Sequence, residues 1–420
     1  MAAPGGKFFV QDNLAVKALH HESFEQLWKV KWQALCRMGV YPFMFAKYED
    51  FVPIADQLIK EGFKEPYKWN EYAQVFFPKA EELVQEANKA EKAGEKEKAS
   101  EFYLRASAVY RISRFPIPRS EKQRYAWEQG KKAALKGLEL KERPTREVTI
   151  LHKHGLEHEG KEIKFFYHLP PEASKEKPVP LVIIFTGLDG YRTELAVWVQ
   201  VWTAKQVAVV ILEVPGTGDS PADPKDVKSP DREWSSLFDW IGQQTEINQR
   251  SIALWGFSTG GYYAIRIAHT HHDRLAGVAA LGGGCHYMFA PDWLDQVNHL
   301  EYPFDLANAL AHKWGYGNDV ETFKKEAMKN FSLVEDKTLD SPDCTRLLLV
   351  NGENDEIFPI DDYYECLFHG KPKEVRFVHG RKHMGEPESF SIVIKWIYDL
   401  FGLEGEPKDV LKLLPFKAKF

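Results

Sequence analysis

Ser251-Ile-Ala-Leu-Trp-Gly-Phe-Ser-Thr-Gly-Gly261 is the stretch whose reading decides the fold. Ile252, Leu254 and Trp255 form a short apolar run of the length of a buried strand. Gly256-Phe-Ser258-Thr-Gly260 follows, and Tyr262 to His272 continues with helical spacing. Strand, Gly-x-Ser-x-Gly and helix in that order predict a nucleophile elbow. The sharp turn lifts the Ser258 hydroxyl above the sheet, and the glycines permit the tight backbone and the close strand–helix approach. Thr259 then offers its backbone N–H at the helix start, where developing negative charge is stabilised. A bare pentapeptide match occurs in ordinary loops; the flanking strand and helix set this one apart.

On either side of the elbow, strand-like and helix-like segments alternate. Pro180–Phe185, Val207–Glu213, Leu275–Leu281, Arg346–Val350 and Val375–Val378 read as strands, mostly apolar on both faces. Such runs predict a mostly parallel sheet with helices covering both sides. Val148–Leu151 and Ile163–His168 read as a hairpin leading into it. From about residue 285 to 342 the strand rhythm breaks. Trp293, Phe304, Leu310, Trp314, Phe323 and Phe331 fall in helical segments, which predicts a lid-like insertion. Residues up to about 145 read as helical. Apolar spacing marks Ser23–Cys36, a helix with Pro78 in its first turn, Lys98–Ile112 and Ser120–Leu138. The middle pair resembles one tetratricopeptide-type helix hairpin, with no second copy at the matching period. The expected architecture is an α/β-hydrolase fold: helices over 1–145, then a core over 146–420 carrying the insertion at 285–342.

A serine hydroxyl needs a base, and this fold supplies Asp or Glu and then His after the serine in the chain. After the strand ending at Val350 comes Asn351-Gly-Glu-Asn-Asp355-Glu-Ile-Phe-Pro359; after the strand ending at Val378 comes His379-Gly-Arg-Lys-His383-Met-Gly385. Each loop sits at a strand's carboxyl end, where parallel sheets place their sites. Asp355 is the expected acid, against Glu353, Glu356, Asp361 and Asp362. His383 is the expected base, against His379, which abuts its strand. The turn after Phe185 makes the N–H of Leu188 the expected second oxyanion donor, beside Thr259. Asp189 stands next to it, either as a turn former or as a group that holds substrate hydroxyls.

Composition narrows the classes. The chain has 420 residues, 44% hydrophobic and 13% aromatic, enough for a large core. Lys and Arg total 55 against 61 Asp and Glu, so nothing calls for nucleic acid or an anionic membrane. No apolar run reaches transmembrane length, and Met1–Lys7 opens no secretory signal, so a cytoplasmic location is expected, with vesicle association left open. Cys36, Cys285, Cys344 and Cys366 are scattered, as reduced thiols would be. His152, His154 and His158 on the hairpin, and His269, His271 and His272 at a helix end, lack accompanying metal-ligand spacings. The helix-end group reads as favourable charge near a helix C-terminus. Gly216-x-Gly218 lacks a third glycine, and no phosphate-binding loop occurs. No metal and no cofactor are expected.

Thr186-Gly-Leu-Asp-Gly190, Pro215-Gly-Thr-Gly-Asp-Ser220, Gly256-Phe-Ser-Thr-Gly-Gly261, Gly352-x-x-Asp355 and Lys382-His-Met-Gly385 together resemble the fungal polyketide-shortening hydrolases of pigment biosynthesis, the yellowish-green conidial pigment proteins. The resemblance spans nearly the whole chain. A more distant likeness is to the bacterial carbon–carbon hydrolase of nicotine breakdown. The first resemblance implies a catalytic set of Ser258, Asp355 and His383. It also implies retro-Claisen cleavage of a heptaketide naphthopyrone to tetrahydroxynaphthalene, a melanin precursor. The bacterial likeness implies a role for the acid at 189, where this chain has the shorter Asp. The expected partner is an aromatic polyketide; a homodimer is compatible with the sequence. Two rival readings remain: a carboxylesterase or thioesterase of the same fold, and a non-enzymatic scaffold docking a partner on the helices between Pro78 and Ile112.

Overall fold

Residues 17–415 are described by a computed structural model. The reading of Met1–Lys7 lies outside them. Eight strands form one sheet: β1 (Arg146–Leu151), β2 (Glu162–His168), β3 (Val179–Phe185), β4 (Ala208–Leu212), β5 (Ile247–Phe257), β6 (Gly277–Leu281), β7 (Arg346–Gly352) and β8 (Glu374–Val378). Their order is β1-β2-β4-β3-β5-β6-β7-β8. The β1–β2 hairpin is antiparallel and joins β4 antiparallel; every pairing from β4 to β8 is parallel. This is the expected α/β-hydrolase architecture.

The side-chain period of two explains the apolar strands. Leu181, Ile183 and Phe185 enter one core cluster, Val182 and Ile184 the other. The second face is covered by Trp198, Trp202 and the helix Glu388–Phe401. The first is covered by Ser229–Ile241 and by Thr259–Thr270, the helix of the elbow. That same cluster continues into the N-terminal helices and the insertion.

Before the sheet the chain is helical. Ser23 caps a run from Phe24 to Met38 by accepting from the Gln26 N–H at 3.2 Å. Leu27–Trp32 within it is a π-helical turn. Phe77–Lys92 and Lys96–Arg114 form the expected helix hairpin, and Glu121–Glu139, capped by Ser120, packs on its second helix. The helix Tyr48–Lys60 has no counterpart among the sequence-based expectations.

Between β6 and β7 the insertion carries helices Pro291–Gln296, Leu306–Lys313 and Val320–Phe331. Its segment 300–304 is clasped by the N-terminal part. The rings of Trp32, Tyr67 and Trp69 surround Phe304 edge-on, with centroids 5.6, 5.0 and 5.3 Å away. Such pairs add to the area they bury. His21 Nε2 lies 2.8 Å from the Leu300 carbonyl, and His20 Nε2 lies 2.9 Å from that of Tyr302. Lys313, fully buried, donates to the Pro215 carbonyl at 2.8 Å and ties the insertion to the core. Among the described residues, no helix is long and apolar enough to cross a membrane.

Phe304→Ala leaves a cavity at the meeting point of the insertion and the N-terminal helices. It is expected to lower the unfolding free energy by about 3–5 kcal/mol, measured by urea denaturation. A change below about 1 kcal/mol would show that these rings do not hold the two parts together.

Candidate active site

Ser258 sits between β5 and the helix Thr259–Thr270 with φ 53° and ψ −122°, a left-handed conformation rare for a residue with a side chain. Its N–H donates to the Leu281 carbonyl at 2.7 Å, which fixes the turn to β6. The elbow closes only around glycine. A Cβ on Gly256 would lie 2.3 Å from the Gly260 carbonyl, and one on Gly260 would lie 2.3 Å from that of Thr186. Strain of this kind is held by the surrounding structure and keeps the hydroxyl raised toward the cavity.

The structure brings Ser258, His383 and Asp355 together. His383 Nε2 is 2.8 Å from Ser258 Oγ, and Nδ1 is 2.9 Å from Asp355 Oδ2. With Nδ1 protonated and donating to Asp355, Nε2 is free to accept the serine proton. Asp355 is fully buried and saturated. Its Oδ1 accepts from the N–H groups of Ile357 (2.6 Å) and Phe358 (3.2 Å), and its Oδ2 accepts from Asn351 Nδ2 at 2.7 Å. The Asn351 side-chain Oδ1 in turn accepts from the Met384 N–H at 2.8 Å, tying the histidine loop to β7. Burial alone would lower the His383 pKa; the Asp355 charge and hydrogen bond outweigh it, so the imidazole titrates above its ordinary 6.5.

The competing residues are employed elsewhere. Asp362 accepts from the N–H groups of His286, Tyr287 and Met288 at 2.8, 2.6 and 2.9 Å and so shapes the start of the insertion. Glu353 pairs with His379 at 2.8 Å, and that histidine side chain is 96% exposed. Glu356 pairs with Lys382, and Asp361 opens the helix Asp361–Phe368.

Ser258 and His383 open into a cavity of about 260 Å³. Leu188 and Thr259, the expected oxyanion donors, both line it. Trp32, Leu35, Phe115, Trp198, Phe257 and Phe358 give it an aromatic and apolar wall. The π-helical turn brings successive residues, Lys31 and Trp32, to this wall. Asp189 lines it as well. Its Oδ2 accepts from Tyr302 Oη at 2.6 Å and its Oδ1 from Tyr41 Oη. Arg114 donates to its backbone carbonyl at 3.0 Å. Sequence reasoning missed Tyr41, Tyr302 and Asn351. Only Asn351 carried a signal, its place at the head of the Asp355 loop.

The helix-end histidines require a correction. Burial lowers the pKa of His269 to about 4 and depresses that of His271, so both are neutral at pH 7. His269 Nδ1 lies 2.9 Å from the Ile265 carbonyl and His271 Nε2 lies 3.1 Å from Ser235 Oγ. They are core histidines with polar partners rather than helix-end charges. In the hairpin group, His152 faces the Gly160 carbonyl, His154 faces Asp239 and His158 faces Asp223. Cys285 and Cys366, scattered in sequence, meet with sulfurs 3.4 Å apart.

The family description "Esterase FrsA-like" matches residues 67–399. The chain belongs to the esterase FrsA-like family. Esterase FrsA of Photobacterium profundum is 25% identical over 341 residues, covering 79% of this chain and 75% of the relative. Esterase FrsA of Vibrio vulnificus is 23% identical over 340 residues, with the same coverage. Among solved structures, a 2,6-dihydroxy-pseudo-oxynicotine hydrolase superposes with a TM-score of 0.66 at 18% identity, covering 90% of this chain and 98% of its own. AbyA5 superposes with a TM-score of 0.60 at 17% identity, covering 80% and 91%. These two likenesses support the fold.

An FrsA-like α/β-hydrolase with this geometry can move a proton from serine to histidine. Only the neutral imidazole accepts it. Because His383 titrates above 6.5, kcat/KM is expected to fall as pH drops through an apparent pKa above that value. Asp355→Asn is expected to move this limb downward and to cost about 10⁴ in kcat. An unshifted limb with near-normal turnover would remove Asp355 from the site.

Proposed function

We propose that this chain is a serine hydrolase that shortens an aromatic polyketide by retro-Claisen carbon–carbon cleavage, with a heptaketide naphthopyrone as substrate and tetrahydroxynaphthalene as product. The observation that carries the carbon–carbon reading is Asp189. A carboxylate beside the oxyanion position hinders simple ester hydrolysis, because it repels the developing charge. Held by two phenols in an aromatic cavity, it suits a hydroxylated ring whose ketone form must be exposed before cleavage. The naphthopyrone itself follows from the motif resemblance.

In this reading His383 Nε2 takes the Ser258 proton as Oγ bonds to the side-chain carbonyl carbon. The N–H groups of Leu188 and Thr259 hold the alkoxide. The carbon–carbon bond then breaks, its electron pair passes to the ring carbon, and His383 returns the proton there. Water, deprotonated by His383, releases the acyl group as a carboxylic acid. The helices of 1–145 and the 285–342 insertion act together as a lid over the 146–420 core.

The second reading is a carboxylesterase or thioesterase, favoured by the esterase relatives. The two separate on substrate. Incubation with a naphthopyrone is expected to release a shortened aromatic and a carboxylic acid, and Ser258→Ala is expected to abolish this while remaining folded. Turnover of aryl esters without naphthopyrone cleavage would favour the esterase. Asp189→Asn keeps size and removes charge. It is expected to lower naphthopyrone cleavage at least about tenfold more than aryl-ester hydrolysis, in line with the worth of a hydrogen bond to a charged group. Equal losses would return Asp189 to a structural role.

A further inference from the structure

Glu301 precedes Tyr302 in the insertion and lines the same cavity as Ser258 and His383. Its side chain is 13% exposed, and its Oε2 is buried with no hydrogen-bond partner among the described residues. The nearest cation paired with that oxygen, Lys382 Nζ, is 3.9 Å away, beyond hydrogen-bond reach. Lys382 is instead engaged with Glu356 at 2.6 Å. Burial raises the Glu301 pKa to about 7, and the Lys31 charge opposes the rise. In either protonation state the carboxyl group keeps an acceptor oxygen.

A buried acceptor left unmatched is costly, and in a native structure it demands a reason. The contrast with Asp189 is direct. Both of its oxygens already receive tyrosine hydroxyls, whereas Glu301 has an oxygen that no described residue satisfies. The surrounding wall is aromatic. A second unmatched polar atom, the indole Nε1 of Trp32, belongs to another residue lining the cavity.

We propose that Glu301 determines specificity by accepting a hydrogen bond from a phenolic or enolic hydroxyl on the substrate's aromatic ring. The proposal rests on a serine-dependent hydrolase working in this cavity, but not on cleavage of a naphthopyrone. Removing the acceptor leaves the hydroxyl buried and unmatched, so discrimination falls on hydroxylated substrates alone.

The test compares a naphthyl ester carrying a free ring hydroxyl with the same ester lacking it. The native protein is expected to favour the hydroxylated ester by about tenfold or more in kcat/KM. Glu301→Leu is expected to erase that preference, read as the ratio of kcat/KM for the two esters, since any change it makes at His383, whose pKa the Glu301 charge raises, acts on both esters alike. Glu301→Gln, which keeps a carbonyl acceptor and the shape, is expected to retain most of the preference. Equal kcat/KM for both esters in the native protein overturns the proposal without any variant. So do matching losses on both esters in Glu301→Leu. If Glu301→Leu does not fold, Glu301→Ala takes its place, and a Glu301→Ala protein that keeps the native preference has the same force. Loss of naphthopyrone cleavage as an activity, with the ester preference intact, would overturn the polyketide reading and leave this one standing.

Discussion

The carboxylate of Asp189 accepts hydrogen bonds from two phenols that reach it from distant parts of the chain, Tyr41 and Tyr302. Taking a carboxylate out of water is expensive unless every lone-pair direction finds a donor. Here the donors come from the N-terminal helical part and from the insertion, so the cost is met only when both have closed on the core. Arg114 secures the backbone of the same residue, and Arg111 and Arg114 converge on the buried Glu194. The Arg111 guanidinium lies 4.6 Å over the Tyr41 ring. The cavity is thus walled jointly by the N-terminal part, the insertion and the core.

Chemistry and recognition are drawn from different layers. Ser258, Asp355 and His383 hang from the carboxyl ends of the parallel strands β5, β7 and β8, with β6 between the first two. Strand pairing sets their spacing, and Asn351 locks the last two loops to each other. The cavity wall comes largely from outside the sheet: Trp32 and Tyr41 before it, Glu301 and Tyr302 within the insertion, Phe115 just past the end of a long helix. A shared core can therefore serve different substrates as the outer layers vary.

This division also explains what the sequence made legible. The meeting of Ser258, Asp355 and His383 was readable because each follows a recognisable strand, in the chain order this fold expects of such a set. Phe185 and Gly187 pointed to Leu188 for the same reason. Tyr41, Tyr302 and Glu301 carry no local signal. They meet Asp189 or the cavity only after residues more than a hundred positions apart are brought together, and no periodicity encodes that. The helix-end histidines illustrate a different limit. Position at a C-terminus suggests charge, but burial under Trp234 and Phe238 decides against it for His271. Cys285 and Cys366 were likewise scattered in sequence and adjacent in space.

The most direct measurement is rapid-quench mass spectrometry of the protein mixed with a naphthopyrone, followed by mapping of the modified peptide. The account predicts a transient acyl adduct on Ser258, with the shortened aromatic released before or with its hydrolysis. Release of that aromatic with no adduct on Ser258, or an adduct on another residue, would contradict it.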